Sequence, residues 1–217
     1  MEPKMNPTLK EFLEWTYCII IAVILALLVK FYIGIPTVVQ QVSMLPTLVE
    51  NQRLILDRTV RTFDRELKRG DIVTFEAPSS RIVSVFEADF DDPVAKYENE
   101  PEGLLARFVY YVLETNKESY IKRVIGLPGE HVKIENGKVY INGEELEEPY
   151  LQENVKTTEQ PGGVYMDVVV PEGHLFLMGD NRSQSTDCRA FGCIPFEKIE
   201  SRVLLRFWPL NLFGTVD

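Results

Sequence analysis

Ser43 stands alone in the stretch "QQVSMLPTL" (residues 40–48), with Val42 before it and Met44, Leu45 and Pro46 after it. A hydroxyl among apolar neighbours becomes a nucleophile only when a base takes its proton. Histidine is the commonest base, and the chain has two, His131 and His174. His131 follows a turn and opens a strand, His174 sits in the turn "PEGH", and no Gly-x-Ser-x-Gly elbow surrounds Ser43. Both histidines therefore read as structural or exposed. They are isolated, and no Cys-x-x-Cys occurs, so no metal-ligand set and no cofactor are expected.

Lysine can replace histidine once it is neutral. An unperturbed lysine titrates near pH 10.4, and burial lowers that value by several units in the extreme, each costing about 1.4 kcal/mol that the fold must supply. The base should then lie inside a hydrophobic strand, and "YIKRVIG" (residues 120–126) is one. Along a strand Tyr120, Lys122 and Val124 share one face, Ile121, Arg123 and Ile125 the other. The alternative puts Lys122 and Arg123 on a solvated edge, where strand lysines often occur, and spacing alone favours it.

The elements that must hold these groups begin with an oily segment. Trp15 to Val29 carries no charge, and with Lys30, which can snorkel, the run reaches Ile35. Its 21 residues would span about 31 Å as a helix, close to the hydrocarbon core of a bilayer. No small-x-small site ends it, so it reads as an uncleaved anchor over 13–35, preceded by a tail over 1–12. Lys4, Lys10 and the amino terminus favour a cytoplasmic tail, although Lys30 on the other flank keeps the bias small.

Residues 36–217 read as a mainly antiparallel β domain. "RLILDRTV", "GDIVTFEA", "YMDVVVPEGHLFLMGDN" and "SRVLLRFWPL" supply strands beside "YIKRVIG", and Asn136-Gly137 between alternating runs marks a hairpin. Residues 131–174 form a cap-like β subdomain and 79–119 an insertion with a small helix. In that insertion Leu104, Leu105, Phe108, Val109 and Val112 make one apolar stripe, expected to pack on the sheet behind a solvated acidic loop. A helix lying on a membrane is the other reading, disfavoured because Arg107 is its one cation. The net charge of −10 argues against nucleic acid as a partner. Cys188 and Cys193 could bridge in an oxidising space, but two free thiols are the plainer expectation.

Four motifs follow the oily segment in order: "SMLPTL" (43–48), "RGDIVTF" (69–75), "YIKRVIGLPGE" (120–130) and "MGDNRSQSTDCRAFG" (178–192). Together they resemble the type I signal peptidases (leader peptidases), membrane-bound serine–lysine proteases that remove signal peptides from exported proteins. The resemblance covers the chain from the anchor to near the C-terminus, except 79–119.

The resemblance implies Ser43 as nucleophile, Lys122 as general base and Ser185 as the hydroxyl that orients the lysine. It implies a structural salt bridge between Asp187 and Arg189, and pockets lined by Val39 and Ile121 that admit the small residues of an Ala-x-Ala site. Some members add a serine hydroxyl to the oxyanion hole two residues before the nucleophile; this chain has Gln41 there, whose amide is expected to stand in. Cys188 replaces a serine common among relatives. The C-terminal "LLRFWPLNLF" could touch lipid, though core packing is the simpler expectation. The implied protein is a monomer in the cell membrane, crossing it once, with an extracytoplasmic catalytic domain whose partners are signal peptides and membrane lipid. The competing readings are a tethered β domain that binds without catalysis, and a self-cleaving serine–lysine protease.

Overall fold

The computed structural model describes residues 7–63, 65–98, 101–115, 117–152, 155–157 and 163–216. The first six residues of the expected tail, Lys4 among them, lie outside these. An α-helix runs over Pro7–Tyr32, starting earlier than the expected anchor and ending before it. Thr8–Tyr32 is long and apolar enough to cross a membrane, and none of its most apolar window is buried against the protein. Gly34 and Ile35, placed by sequence in the anchor, already pair in the first strand.

Eleven strands follow among the described residues. Seven form one antiparallel sheet, ordered β1 (Gly34–Val38), β2 (Arg53–Asp57), β11 (Ile199–Trp208), β3 (Ile72–Glu76), β4 (Ser119–Gly126), β9 (His174–Met178) and β10 (Ile194–Pro195). The other four, β7 (Glu144–Glu145), β6 (Lys138–Ile141), β5 (His131–Glu135) and β8 (Asp167–Val169), form a separate antiparallel sheet in the expected cap region. The β5–β6 turn is Asn136-Gly137 with φ of 53° and 79°, both in the left-handed region that a two-residue hairpin of this type requires.

Two apolar clusters hold the domain. The larger joins Phe75, Tyr120, Val124, Leu177 and Phe191 to the second sheet through Val132 and Val168. The smaller gathers Val39, Met44, Leu48, Leu54 and Leu56, with Ile121 packed against it. β4 lies between them: Tyr120 and Val124 face the larger cluster and Ile121 the smaller, as strand alternation dictates.

Two expectations are corrected. The insertion helix, Leu104–Phe108 continuing as a wider turn over Val109–Leu113, does not bury its apolar stripe on the sheet: Leu104 is 90% and Leu105 76% exposed. The stripe is exposed at its start, while Val109 and Val112 are half-buried beside Tyr110, whose hydroxyl reaches the buried Glu76. Nor does the C-terminal run enter the core, since Trp208, Leu210 and Phe213 are exposed. The short turn Leu210–Leu212 after Pro209 folds the chain back along the surface, so that Gly214 pairs with Arg206 of the last strand.

Candidate active site

Ser43 occupies a single helical turn, Val42–Met44, that follows extended backbone at Gln41. Apolar burial anchors the turn from below, with Met44 and Leu48 fully inside the smaller cluster. From the side Asn181 clasps it, its backbone N–H donating to the Ser43 carbonyl (3.0 Å) and its side-chain amide to the Val42 carbonyl (3.1 Å). Gly179 must be glycine here: a Cβ would lie 2.5 Å from the Ser43 carbonyl oxygen and 2.2 Å from Ser185 Oγ.

Lys122 reaches the same spot from the middle of β4. Its Nζ donates to Ser43 Oγ at 2.8 Å and to the Ile121 carbonyl at 3.1 Å. The ring of Tyr120 stands 5.5 Å away on the same strand face. Only 2% of Lys122 is exposed, which excludes the solvated-edge alternative. Burial pulls its pKa from 10.5 down to about 8; Asp187 nearby opposes this and Arg189 reinforces it. Desolvation of the ammonium outweighs the attraction of the carboxylates. A neutral amine in contact with a buried hydroxyl can accept its proton.

Behind the pair lies a fully buried ionic knot. Arg189 pairs with Asp187 through Nε–Oδ1 and Nη2–Oδ2, both 2.8 Å. Asp187 also accepts the Gly179 N–H (3.0 Å) and the Ser185 hydroxyl (2.8 Å). Burial pushes this carboxyl up, but Arg189 and the donated hydrogen bonds outweigh it and the net pKa is low. Ser185 thus spends its hydroxyl on Asp187, and the hydrogen bonds of Lys122 go to Ser43 and Ile121. Cys188 and Cys193 are free, buried thiols, and Cys188 Sγ accepts the Leu177 N–H at 3.0 Å.

Spacing did not single out a second buried pair, Arg123–Asp180. Arg123 Nε meets Asp180 Oδ1 at 3.0 Å, Thr47 Oγ1 donates to Asp180 Oδ2 at 2.6 Å, and Tyr150 stacks on the guanidinium. It ties β4 to the segments on both sides of Ser43. The one sequence signal was a second cation beside Lys122 in an apolar strand, and its partner is 57 residues away.

Beside Ser43 opens a cleft of about 470 Å³ whose walls include Ile35, Val39, Gln41, Leu56, Tyr120 and Ile121. β1 is the edge strand of its sheet, paired with β2 alone, and β4 meets β9 only from Arg123 onward. Both strands therefore offer open backbone edge to the cleft. Gln41 is exposed there, and its side chain does not cap the turn. The far end is charged, with Arg58, Glu114, Lys117 and Glu200. The histidines lie elsewhere, His131 on Asp167 and His174 on the Glu172 carbonyl. Among the described residues no group of three or more His, Cys, Asp or Glu could hold a metal ion.

Residues 12–208 match the family described as signal peptidase, peptidase S26. The chain belongs to this family. An S26 chain is a serine peptidase, a hydrolase of a membrane-associated family that acts on signal peptides. Among curated relatives, a signal peptidase I of Bacillus licheniformis is 34% identical over 221 residues, covering 100% of this chain and 99% of that one. The signal peptidase I T of Bacillus subtilis (strain 168) is 36% identical over 205 residues, 92% of this S26 peptidase and 87% of the relative. A crystal structure of a signal peptidase I from Enterococcus faecalis V583 is 26% identical and covers 64% of this chain and 97% of its own, with a TM-score of 0.40.

Proposed function

We propose that this peptidase is a membrane-bound endopeptidase that removes signal peptides after small residues of the Ala-x-Ala type, using Ser43 as nucleophile and Lys122 as general base. One observation carries the reading: a buried lysine amine 2.8 Å from a buried serine hydroxyl, with their chain neighbours Gln41 and Ile121 lining a cleft.

The neutral amine of Lys122 takes the Ser43 proton as Oγ attacks the scissile carbonyl. The resulting ammonium gives that proton to the departing amine; neutral again, Lys122 takes a proton from the water that cleaves the acyl-enzyme and returns it to Ser43 Oγ. The Ile121 carbonyl holds Nζ on line, while Ser185, Asp187 and Arg189 act as positioning residues that fix the loop around Gly179. The oxyanion is met by the Ser43 N–H and by the amide of Gln41, an exposed residue that lines the cleft one position before the turn. A donor of this kind is worth roughly 10²-fold or more in kcat. Gln41→Ala is therefore expected to lower kcat about 10²-fold with KM little changed; unchanged turnover removes Gln41 from the hole.

The substrate lies extended between the open edges of β1 and β4, a strand-addition mode in which backbone bonds give affinity and alternate side chains enter pockets. Val39 and Ile121 make those pockets shallow. The Pro7–Tyr32 helix spans the cell membrane once, its amino end in the cytoplasm and residues 36–217 outside, with 79–119 as insertion and 131–174 as cap. Tethering enzyme and precursor to one bilayer raises their effective concentration. The deciding experiment is cleavage of an Ala-x-Ala precursor by the full chain in detergent. Loss of cleavage in both Ser43→Ala and Lys122→Ala supports the dyad; retained cleavage in either sinks it. Cleavage of the chain itself, or binding without turnover, would favour one of the competing readings.

A further inference from the structure

The insertion helix 104–113 is built inside out for a helix in water. Tyr110 donates to Glu76 at 3.1 Å, and the Lys117 ammonium lies over the rings of Tyr110 and Tyr111 at 5.5 and 5.3 Å, so its tyrosines face the protein. Leu104, Leu105 and Phe108 face outward, and no residue of the helix is buried. An exposed apolar patch of this kind marks an interaction surface.

What covers it follows from where the helix ends. Lys30, in the last turn of the N-terminal helix, donates to the Leu113 carbonyl (3.3 Å) and pairs with Glu114 (3.2 Å). Arg58 closes the junction, binding Glu114 and donating to the Lys30 carbonyl at 3.2 Å. Arg107 and Tyr111 line one groove with Phe31, at the point where the long helix gives way to β1. The patch is thus fastened to the end of the segment that reads as a membrane span.

We propose that helix 104–113 is a second membrane contact, lying in the phospholipid interface beside the exit of the anchor with Leu104, Leu105 and Phe108 inserted among the acyl chains. The proposal rests on the Pro7–Tyr32 helix crossing the bilayer. A patch with so little positive charge binds by apolar burial, so the contact should not require anionic lipid. Glu114, at the end of this helix, also lines the substrate cleft; the foot therefore holds the cleft's charged end at the bilayer surface, where a tethered precursor emerges.

The test uses the full chain in phosphatidylcholine vesicles, with Cys18→Ser removing the exposed thiol and Cys188 and Cys193 left buried. A polarity-sensitive fluorophore is placed at Leu105→Cys, at Ile24→Cys in the anchor, or at Glu144→Cys on the second sheet, and lipids brominated on their acyl chains are added as quencher. Quenching at 24 and 105 but not at 144 is the expected result. Quenching at 24 alone overturns the foot and leaves the anchor standing. A blue-shifted but unquenched label at 105 also overturns it, because a protein surface would then cover the patch. Absence of quenching at 24 removes the anchor reading and this inference together.

Discussion

If Lys122 is the base, the rate should follow its neutral fraction. With a pKa of about 8, about one molecule in eleven holds a neutral amine at pH 7 and about ten in eleven at pH 9. A solvated lysine at its ordinary value would be neutral in about one molecule in three thousand at pH 7, so burial raises the competent population by about two orders of magnitude. The assay is kcat/KM for an internally quenched Ala-x-Ala peptide, measured on the full chain in detergent from pH 5.5 to 10. We expect a rise of one decade per pH unit below pH 7, about tenfold more between pH 7 and 9, and a plateau above. A rate still climbing at pH 10, or one with no acidic limb, would refute the desolvated base. So would a limb that persists unchanged in the residual activity of Lys122→Ala.

Other consequences follow from the same geometry. The depressed pKa of Lys122 means that the unfolded chain binds one more proton between pH 8 and 10.5, so stability rises with pH across that window, and the full cost, about 3 kcal/mol, applies below it. Lys122→Met, which removes the charge at similar volume, should raise the urea midpoint at pH 7 and lose that advantage by pH 10.5; a less stable variant at pH 7 contradicts the burial cost. Asp187 has the same pH dependence but a net favourable contribution: its low pKa adds stability that is present above the ordinary carboxyl range and lost as pH falls below about 4. Asp187→Asn, which removes the carboxylate buried against Arg189, should cost about 3–5 kcal/mol in denaturant unfolding. Gly179→Ala should disturb Ser43 and Ser185 together, lowering kcat much more than KM in peptide cleavage, because the added methyl has no space between them.

Much of this protein was legible without coordinates because its signals are local. An uncharged run from Trp15 to Val29 specifies a lone apolar helix, and Asn136-Gly137 specifies a turn by its backbone preference alone. The motifs named Ser43 and Lys122 by likeness. Whether Lys122 was dry was undecided, since alternation in "YIKRVIG" says which residues share a face and not what covers it. The Arg189–Asp187 pair was anticipated by the same likeness; Arg123–Asp180, which bridges 57 residues, was not. The stripe at 104–113 was recognised correctly as apolar but assigned to the wrong surroundings.

Local order, then, belongs to the sequence: the oily helix, the β pairing tendency, the tight turns and the identity of the reactive groups. Tertiary structure decided the lysine's protonation and the direction the insertion helix faces. Both depend on how much water remains beside a side chain, and that is set by segments far apart in the chain. No window of neighbouring residues contains that quantity.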